Sequence, residues 1–417
     1  VLKMSAGHRY QPGRSGTYRS TAEGFRAFYP KPLPPEPPLA FDEPLIARLA
    51  SASAELGRLD GAAEILPDPD FFVYSYVRKE AVLSSQIEGT RSSLADLFDF
   101  EAGADGRRGR QDVREVSNYV TSLNYALGQV GKGEVISTEL LQGTHAQLMR
   151  GVRGNEAEPG ALKNRQNWIG PVGTSPLTAD FVPPPPDETP AALAALIEYV
   201  QTGSSEVPLI KAGLAHAQFE TIHPFLDGNG RMGRLLVTLM LTTSGVVRRP
   251  VLYLSYYLLK HRDEYVRRLQ RVRDDGDWEG WLVFFLTGVE ETSIQAAETA
   301  RAILALKHEH ELLIERELGR RAGSGRKLLE HLFRQPVVNV GMVASVLGST
   351  FPPASELVTT FRRLGLLTEL TGQKRNRFFR YTPYVELLQQ DRTPAISRGS
   401  PSPAPDPAPP GSAATRD

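Results

Sequence analysis

The stretch His223-Pro-Phe-Leu-Asp227-Gly-Asn229-Gly-Arg231-Met-Gly-Arg234-Leu235 packs a base, a carboxylate, a Gly-Asn-Gly turn and two arginines into thirteen residues. Before it, Leu209, Ala212, Ala215, Phe219 and Ile222 recur in steps of three and four, the mark of a helix with one buried face. Pro224 disfavours helical geometry at His223, so this helix is expected to stop there. Beyond the stretch, Leu235 to Leu241 reads as a second, mostly buried helix. Asp227 to Arg231 is therefore a turn between two helices, and Arg231 to Arg234 falls in the first turn of the second.

A helix start presents unpaired N–H groups and the positive end of the dipole, so an anion binds there readily. Gly228 and Gly230 let the backbone approach a ligand with no side chain in the way. Arg231 and Arg234, three apart, share a helical face and offer planar forks for phosphate oxygens. Asp227 would be repelled by a bare phosphate and makes sense where Mg²⁺ bridges the two. His223 is the side chain able to take a proton near neutral pH. The plain alternative, a buried histidine before a Gly-rich helix cap, does not require a second glycine, an acid and paired arginines together. A Walker-type loop is excluded because no Lys-Ser or Lys-Thr follows Gly230. Zinc is disfavoured, with His216 and His223 seven apart and no cysteine to join them.

The segment resembles the signature of the Fic family, His-x-Phe-x-Asp/Glu-Gly-Asn-Gly-Arg-x-x-Arg, matched at every fixed position. Members are mostly protein adenylyltransferases, which move AMP from ATP to a Ser, Thr or Tyr hydroxyl. The resemblance implies that His223 is the catalytic base and that Asp227 holds Mg²⁺. It implies that Phe225, Gly228, Asn229, Gly230, Arg231 and Arg234 belong to the nucleotide-binding set, with Arg234 on the γ-phosphate. Upstream, Asp70 to Glu88 is a long amphipathic segment ended by Gly89, a good helix stop. Val77, Ala81, Ser84 and Glu88 share one face, so Ser84 and Glu88 stand a turn apart. Ser84-x-x-x-Glu88-Gly89 resembles the family's inhibitory motif, which implies that Glu88 pairs with Arg234 in the γ-phosphate's place.

Two further segments complete the expected site. Lys163 to Gly173 and Ala179 to Pro186 are short and β-prone, separated by a turn. They resemble the family's flap hairpin, on which a target protein docks by strand addition over 163–186. Tyr257 lies where relatives place residues near the adenine, and an ordinary core aromatic is the competing reading.

Over the whole chain, 417 residues carry 48 basic and 48 acidic side chains, so no global charge points to nucleic acid or membrane. There is no cysteine, so the fold owes nothing to disulfides. No apolar run is long enough to span a bilayer, and a cytoplasmic protein is the simple expectation. The expected fold is mainly α, a Fic-type helical core with a short β-hairpin flap and a C-terminal winged-helix domain. The expected divisions are a disordered 1–29, an N-terminal helical region over 30–100 with the inhibitory helix, and a core over 101–300. A helix and linker over 301–325, a winged helix over 326–388 and a disordered tail over 389–417 follow.

Residues 326–385 hold nine Lys/Arg against three Asp/Glu, a net of +6. That excess offers DNA phosphates Arg362, Arg363, Lys374, Arg375 and Arg377, unless the module simply packs on the core. ATP and Mg²⁺ are the implied substrate and metal. Two rival functions remain open at this point: removal of AMP with Glu88 positioning water, and a nucleotide-sensing DNA-binding regulator. Self-modification and a homodimer are open as well.

Overall fold

A computed structural model describes residues 11–64, 69–104, 110–152, 158–203, 206–373 and 375–390. The chain opens with an antiparallel hairpin, β1 (Gly16–Ser20) and β2 (Arg26–Pro30). The helices that follow are α1 (Glu43–Glu64), α2 (Pro69–Ile87), α3 (Leu94–Glu101), α4 (Arg110–Val130) and α5 (Thr138–Leu148). Next come α6 (Thr189–Gln201), α7 (Pro208–Ile222), α8 (Asn229–Thr243), α9 (Ser255–Lys260), α10 (Arg262–Asp275) and α11 (Trp278–Leu318).

α7 is the hub of the core. Pro208 stands at its start, where the missing N–H costs nothing. The apolar spacing predicts one buried face, yet 13 of its 15 residues are buried. The reason is its company: α1, α6, α8, α10 and α11 all pack against it, so even Gln218, Glu220 and His216 lie inside. α7 and α8 pack on each other and hold the motif turn between them.

The order continues with α12 (Ala322–Arg334), β3 (Val337–Asn339), α13 (Val340–Leu347), α14 (Phe351–Arg363), β4 (Thr368–Glu369), β5 (Phe378–Arg380) and α15 (Thr382–Gln389). The three strands form an antiparallel sheet in the order β3-β5-β4. This module rests on the N-terminal helices and the long α11. Ser75 of α2 is hydrogen-bonded to Tyr384, Arg380 is paired with Asp99 of α3, and His310 of α11 meets the Tyr381 hydroxyl at 2.6 Å.

Two expectations need correction. Residues 11–29, expected to be disordered, include β1 and most of β2. Arg14, 4% exposed, ties the hairpin down with 2.8 and 3.0 Å contacts to Glu279 and with bonds to the carbonyls of Pro37 and Pro38. Phe28 N–H donates to Val182 O at 2.9 Å, so the hairpin also abuts the end of the flap. The boundary drawn at residue 300 falls inside α11, which runs unbroken for 41 residues. Residues 1–10 and the tail from 391 lie outside the described residues. No helix among the described residues is long and apolar enough to cross a membrane.

Candidate functional site

The motif turn has a front and a back. At the front, α7 ends at His223, whose backbone sits in the left-handed region at φ 50°, ψ 60°. Pro224 disfavours the right-handed alternative, and the turn swings the chain across the start of α8. The imidazole is half-buried. Burial, then the cations Lys163 and Arg273, hold its pKa down to about 3 against the Glu220 carbonyl, so it is neutral at physiological pH. Asp227 is exposed, and one of its oxygens accepts the Gly228 N–H at 2.5 Å. Gly228 caps α8 at φ 76°, a backbone that glycine adopts freely.

The back of the turn is a buried clamp. Asn229, 1% exposed, accepts the Phe225 N–H at 2.8 Å and donates to the Phe225 carbonyl at 2.7 Å. Both ends of its amide are thereby spent on closing the loop. Phe225 is fully buried and stacks on His145 of α5, ring centres 3.8 Å apart. His145 receives the Gly160 N–H on Nδ1 at 2.9 Å, which leaves Nε2 to donate to the Asp227 carbonyl at 3.0 Å. Asn167 donates to the carbonyls of His223 and Phe225 at 3.1 and 2.8 Å. Lys163 holds Asn167 at 3.0 Å and the Ile222 carbonyl at 3.2 Å, and burial pulls its pKa down to about 7.

The two motif arginines part company. Arg231, 4% exposed, turns toward Glu115 of α4 and Met149, with long 3.8 Å approaches to Glu115 and Asp227. Arg234, 3% exposed, donates to the Ser84 hydroxyl at 2.8 Å, to the Ser84 carbonyl at 3.0 Å and to the Glu88 carboxylate at 2.7 Å. The Glu88 side chain is 39% exposed. Burial pushes its carboxyl up, but Arg234, Arg231 and Arg262 outweigh that and leave it below the usual range. The carboxylate lies over Gly230: a Cβ there would come within 2.2 Å of Glu88 Oε1. Glu220 is buried below the pair, its pKa raised to about 7 by burial against the pull of Arg234 and Arg273.

The structure thus joins Ser84, Glu88 and Arg234 and sets His223 and Asp227 at the turn's open side. Phe225 and Asn229 shape the turn from within. Tyr257 is not at this surface: it is 6% exposed and packs on His261, Phe284 and Gly288 in the core. The flap shows one antiparallel bridge, Ile169–Phe181, with Trp168, Val172 and Leu177 exposed. The guanidinium of Arg273 sits 3.7 Å over the Phe181 ring and braces the flap's return.

Of the basic side chains offered to DNA, Arg362 and Arg377 both approach Glu369 at 3.4 Å, while Arg363 and Arg375 are exposed. Lys374 lies outside the described residues. No cluster of three His, Asp or Glu among the described residues could hold a metal. A lone exposed Asp227 fits Mg²⁺, which keeps its waters and binds through one or two carboxylates plus phosphates.

Sequence reasoning missed His145, Lys163, Asn167 and Arg273. The last three stand in the flap segment and in α10, without a motif of their own. Only buried polarity, visible in three dimensions, marks them.

A neutral imidazole beside an anion-facing helix start, on a helical core, defines a class, and the comparisons with known proteins agree on it. Residues 46–128 match the Fic/DOC family N-terminal region and residues 135–241 match the Fic/DOC family itself. The chain belongs to the Fic family. A probable protein adenylyltransferase of Aquifex aeolicus is 26% identical over 208 residues, 49% of this chain and 57% of that protein. A protein adenylyltransferase Fic of Nematostella vectensis is 30% identical over 199 residues, 46% and 42% of the two chains. The chain spans about half the length of these curated relatives. A Fic family protein from Desulfovibrio desulfuricans G20, 18% identical, has a TM-score of 0.53 over 82% of this chain and 97% of that one, which shows the shared fold.

Proposed function

We propose that this chain is a protein adenylyltransferase that moves AMP from Mg²⁺–ATP to a protein hydroxyl and is restrained by Glu88. The observation that carries the reading is the Glu88–Arg234 contact laid across Gly230, within the same turn that presents His223. The names of the relatives support the reaction class. His223 takes the proton of the target hydroxyl as its oxygen bonds to the α-phosphorus. The bond from that phosphorus to the bridging oxygen breaks, and pyrophosphate leaves with the electron pair. Mg²⁺ held by Asp227 would neutralise phosphate charge. The N–H groups opening α8 hold phosphate oxygens, and the clamp of Asn229, His145 and Asn167 keeps those groups aimed without reorganisation.

Arg234 meets the γ-phosphate only when Glu88 has left it, so the carboxylate and ATP compete for one guanidinium. The target lies along the flap by strand addition, with Trp168, Val172 and Leu177 in contact.

The test is label transfer from ATP marked at the α- or the γ-phosphate, using wild type and Glu88→Gly with a lysate of target proteins. The expected result is protein labelled from the α-phosphate alone, about tenfold or more strongly in Glu88→Gly, the loss of one charge-assisted hydrogen bond. Equal labelling of the two proteins would refute the restraint. No labelling by Glu88→Gly, with hydrolysis of AMP-modified protein by wild type, would move the reading to AMP removal.

A further inference from the structure

The loop that carries His223 is held from outside, and the support comes from the root of the flap. Four consecutive carbonyls, those of Ile222, His223, Pro224 and Phe225, each accept a hydrogen bond from Lys163 or Asn167. Lys163 Nζ serves Ile222 at 3.2 Å, and its backbone N–H serves Pro224 at 2.9 Å. The Asn167 amide serves His223 at 3.1 Å and Phe225 at 2.8 Å. Lys163 Nζ also donates to Asn167 Oδ1 at 3.0 Å. An ammonium cannot accept, so it fixes which end of the amide is oxygen and turns the donors toward the loop. Arg273 adds one more support: it donates to the Glu220 carbonyl at 3.1 Å while its guanidinium lies over Phe181 in the flap's return.

What this support holds gives it meaning. His223 sits in the left-handed region, which a residue with a side chain keeps only where its surroundings enforce it. Its Nδ1 is buried and makes no hydrogen bond, although the Glu220 carbonyl stands near. No partner side chain therefore orients the ring from behind, and the imidazole takes its aim from the backbone of 222–225. Lys163 and Asn167 are both buried, whereas Trp168, the next residue, is 41% exposed. One stretch of chain thus grips the loop with Asn167 and meets solvent with Trp168.

We propose that Lys163 is a positioning residue for His223, acting through Asn167 and the carbonyls of the loop, so that the segment on which a target lies also sets the aim of the base. Its effect on turnover rests on the transferase reading; its hold on the loop does not. The nucleotide is served separately, by the N–H groups opening α8, which Asn229 and His145 secure without Lys163.

The test places Lys163→Met and Lys163→Arg in the full chain, with Glu88→Gly added for the kinetics so that transfer is measurable. Lys163→Met is expected to cut kcat by about a hundredfold, the scale for a reacting group displaced by an ångström, and to leave KM for Mg²⁺–ATP unchanged. Lys163→Arg, which keeps a cationic donor, restores most of the rate. Hydrogen exchange without nucleotide is the second readout: amides of 222–227 exchange roughly tenfold faster in Lys163→Met, the loss of one charged hydrogen bond, while α4 and α11 are unchanged. Should Lys163→Met fail to fold, Asn167→Asp, which keeps the bond from Lys163 and loses both donors to the loop, takes its place with the same expected effects. Unchanged exchange over 222–227, or faster exchange throughout the chain, would overturn the proposal, as would a KM that rises as far as kcat falls. If Glu88→Gly itself transfers no AMP, the transferase reading fails, and the exchange comparison alone decides whether Lys163 holds the loop.

Discussion

The front and the back of the motif turn are built from the same thirteen residues by opposite rules. The front residues, His223 and Asp227, keep surface open to solvent. The back residues, Phe225 and Asn229, are buried, with the Asn229 amide and the Phe225 backbone bonded to each other. Chemistry needs the first kind and alignment needs the second, so a substitution on one side is expected to fail differently from one on the other.

The largest separation comes at the front. His223→Asn, a residue that tolerates the left-handed backbone, is expected to cut AMP transfer by about 10²–10⁴-fold, the range for losing a general base, with an unchanged thermal midpoint. Retained turnover in that variant would remove His223 from the chemistry. At the back, Asn229→Ala strips the partner from the buried Phe225 N–H and leaves the Phe225 carbonyl to Asn167 alone. Denaturant unfolding should show a loss of about 1–3 kcal/mol, with reduced transfer as well. A variant as stable as wild type would mean that the loop closes without this amide.

His145→Phe sharpens the contrast further. It keeps the stack on Phe225 but loses the bond to the Asp227 carbonyl, so the apparent affinity for Mg²⁺–ATP should fall more than stability does. Comparable losses of both would make His145 simply part of the core.

The smallest effect is one of pH. Glu220 has a folded pKa of about 7, above its ordinary 4.5. Its stabilising share is therefore fully present below pH 4.5 and is lost as pH rises through 7. Glu220→Gln should melt like wild type at pH 4.5 and higher than wild type at pH 8. Identical midpoints at pH 8 would show that Arg234 and Arg273 already offset the buried charge.

The same division explains what could be read from the sequence. His223, Asp227 and the two arginines announce themselves because their chemistry requires fixed types at fixed spacing. Ser84 and Glu88 are legible for the same reason, although the pairing with Arg234 spans 146 residues. The back of the turn is silent. His145 reaches Asp227 across 82 positions, and Asn167 reaches Phe225 across 58, with nothing local to mark either contact.

The hairpin at 16–30 was obscured in the same way. Its Gly, Ser and Arg content reads as disorder, and what orders it is Glu279, 265 residues beyond Arg14. Tyr257 erred in the other direction. A tyrosine pair after a strand-like run looks like a ligand contact, but one ring serves α11 from inside the core.

The contact between Glu88 and Arg234 also fixes an order of events as the protein is made. A chain emerges from its N-terminus, and domains take shape as they emerge. Ser84 and Glu88 emerge before the motif turn, but α2 packs on α4, α8, α9 and α12, so their place is fixed only when those later helices are made. Arg14 likewise waits for Glu279, 265 residues further on, before its hairpin is secured. The contact between Glu88 and Arg234 therefore forms only once both segments are made and packed.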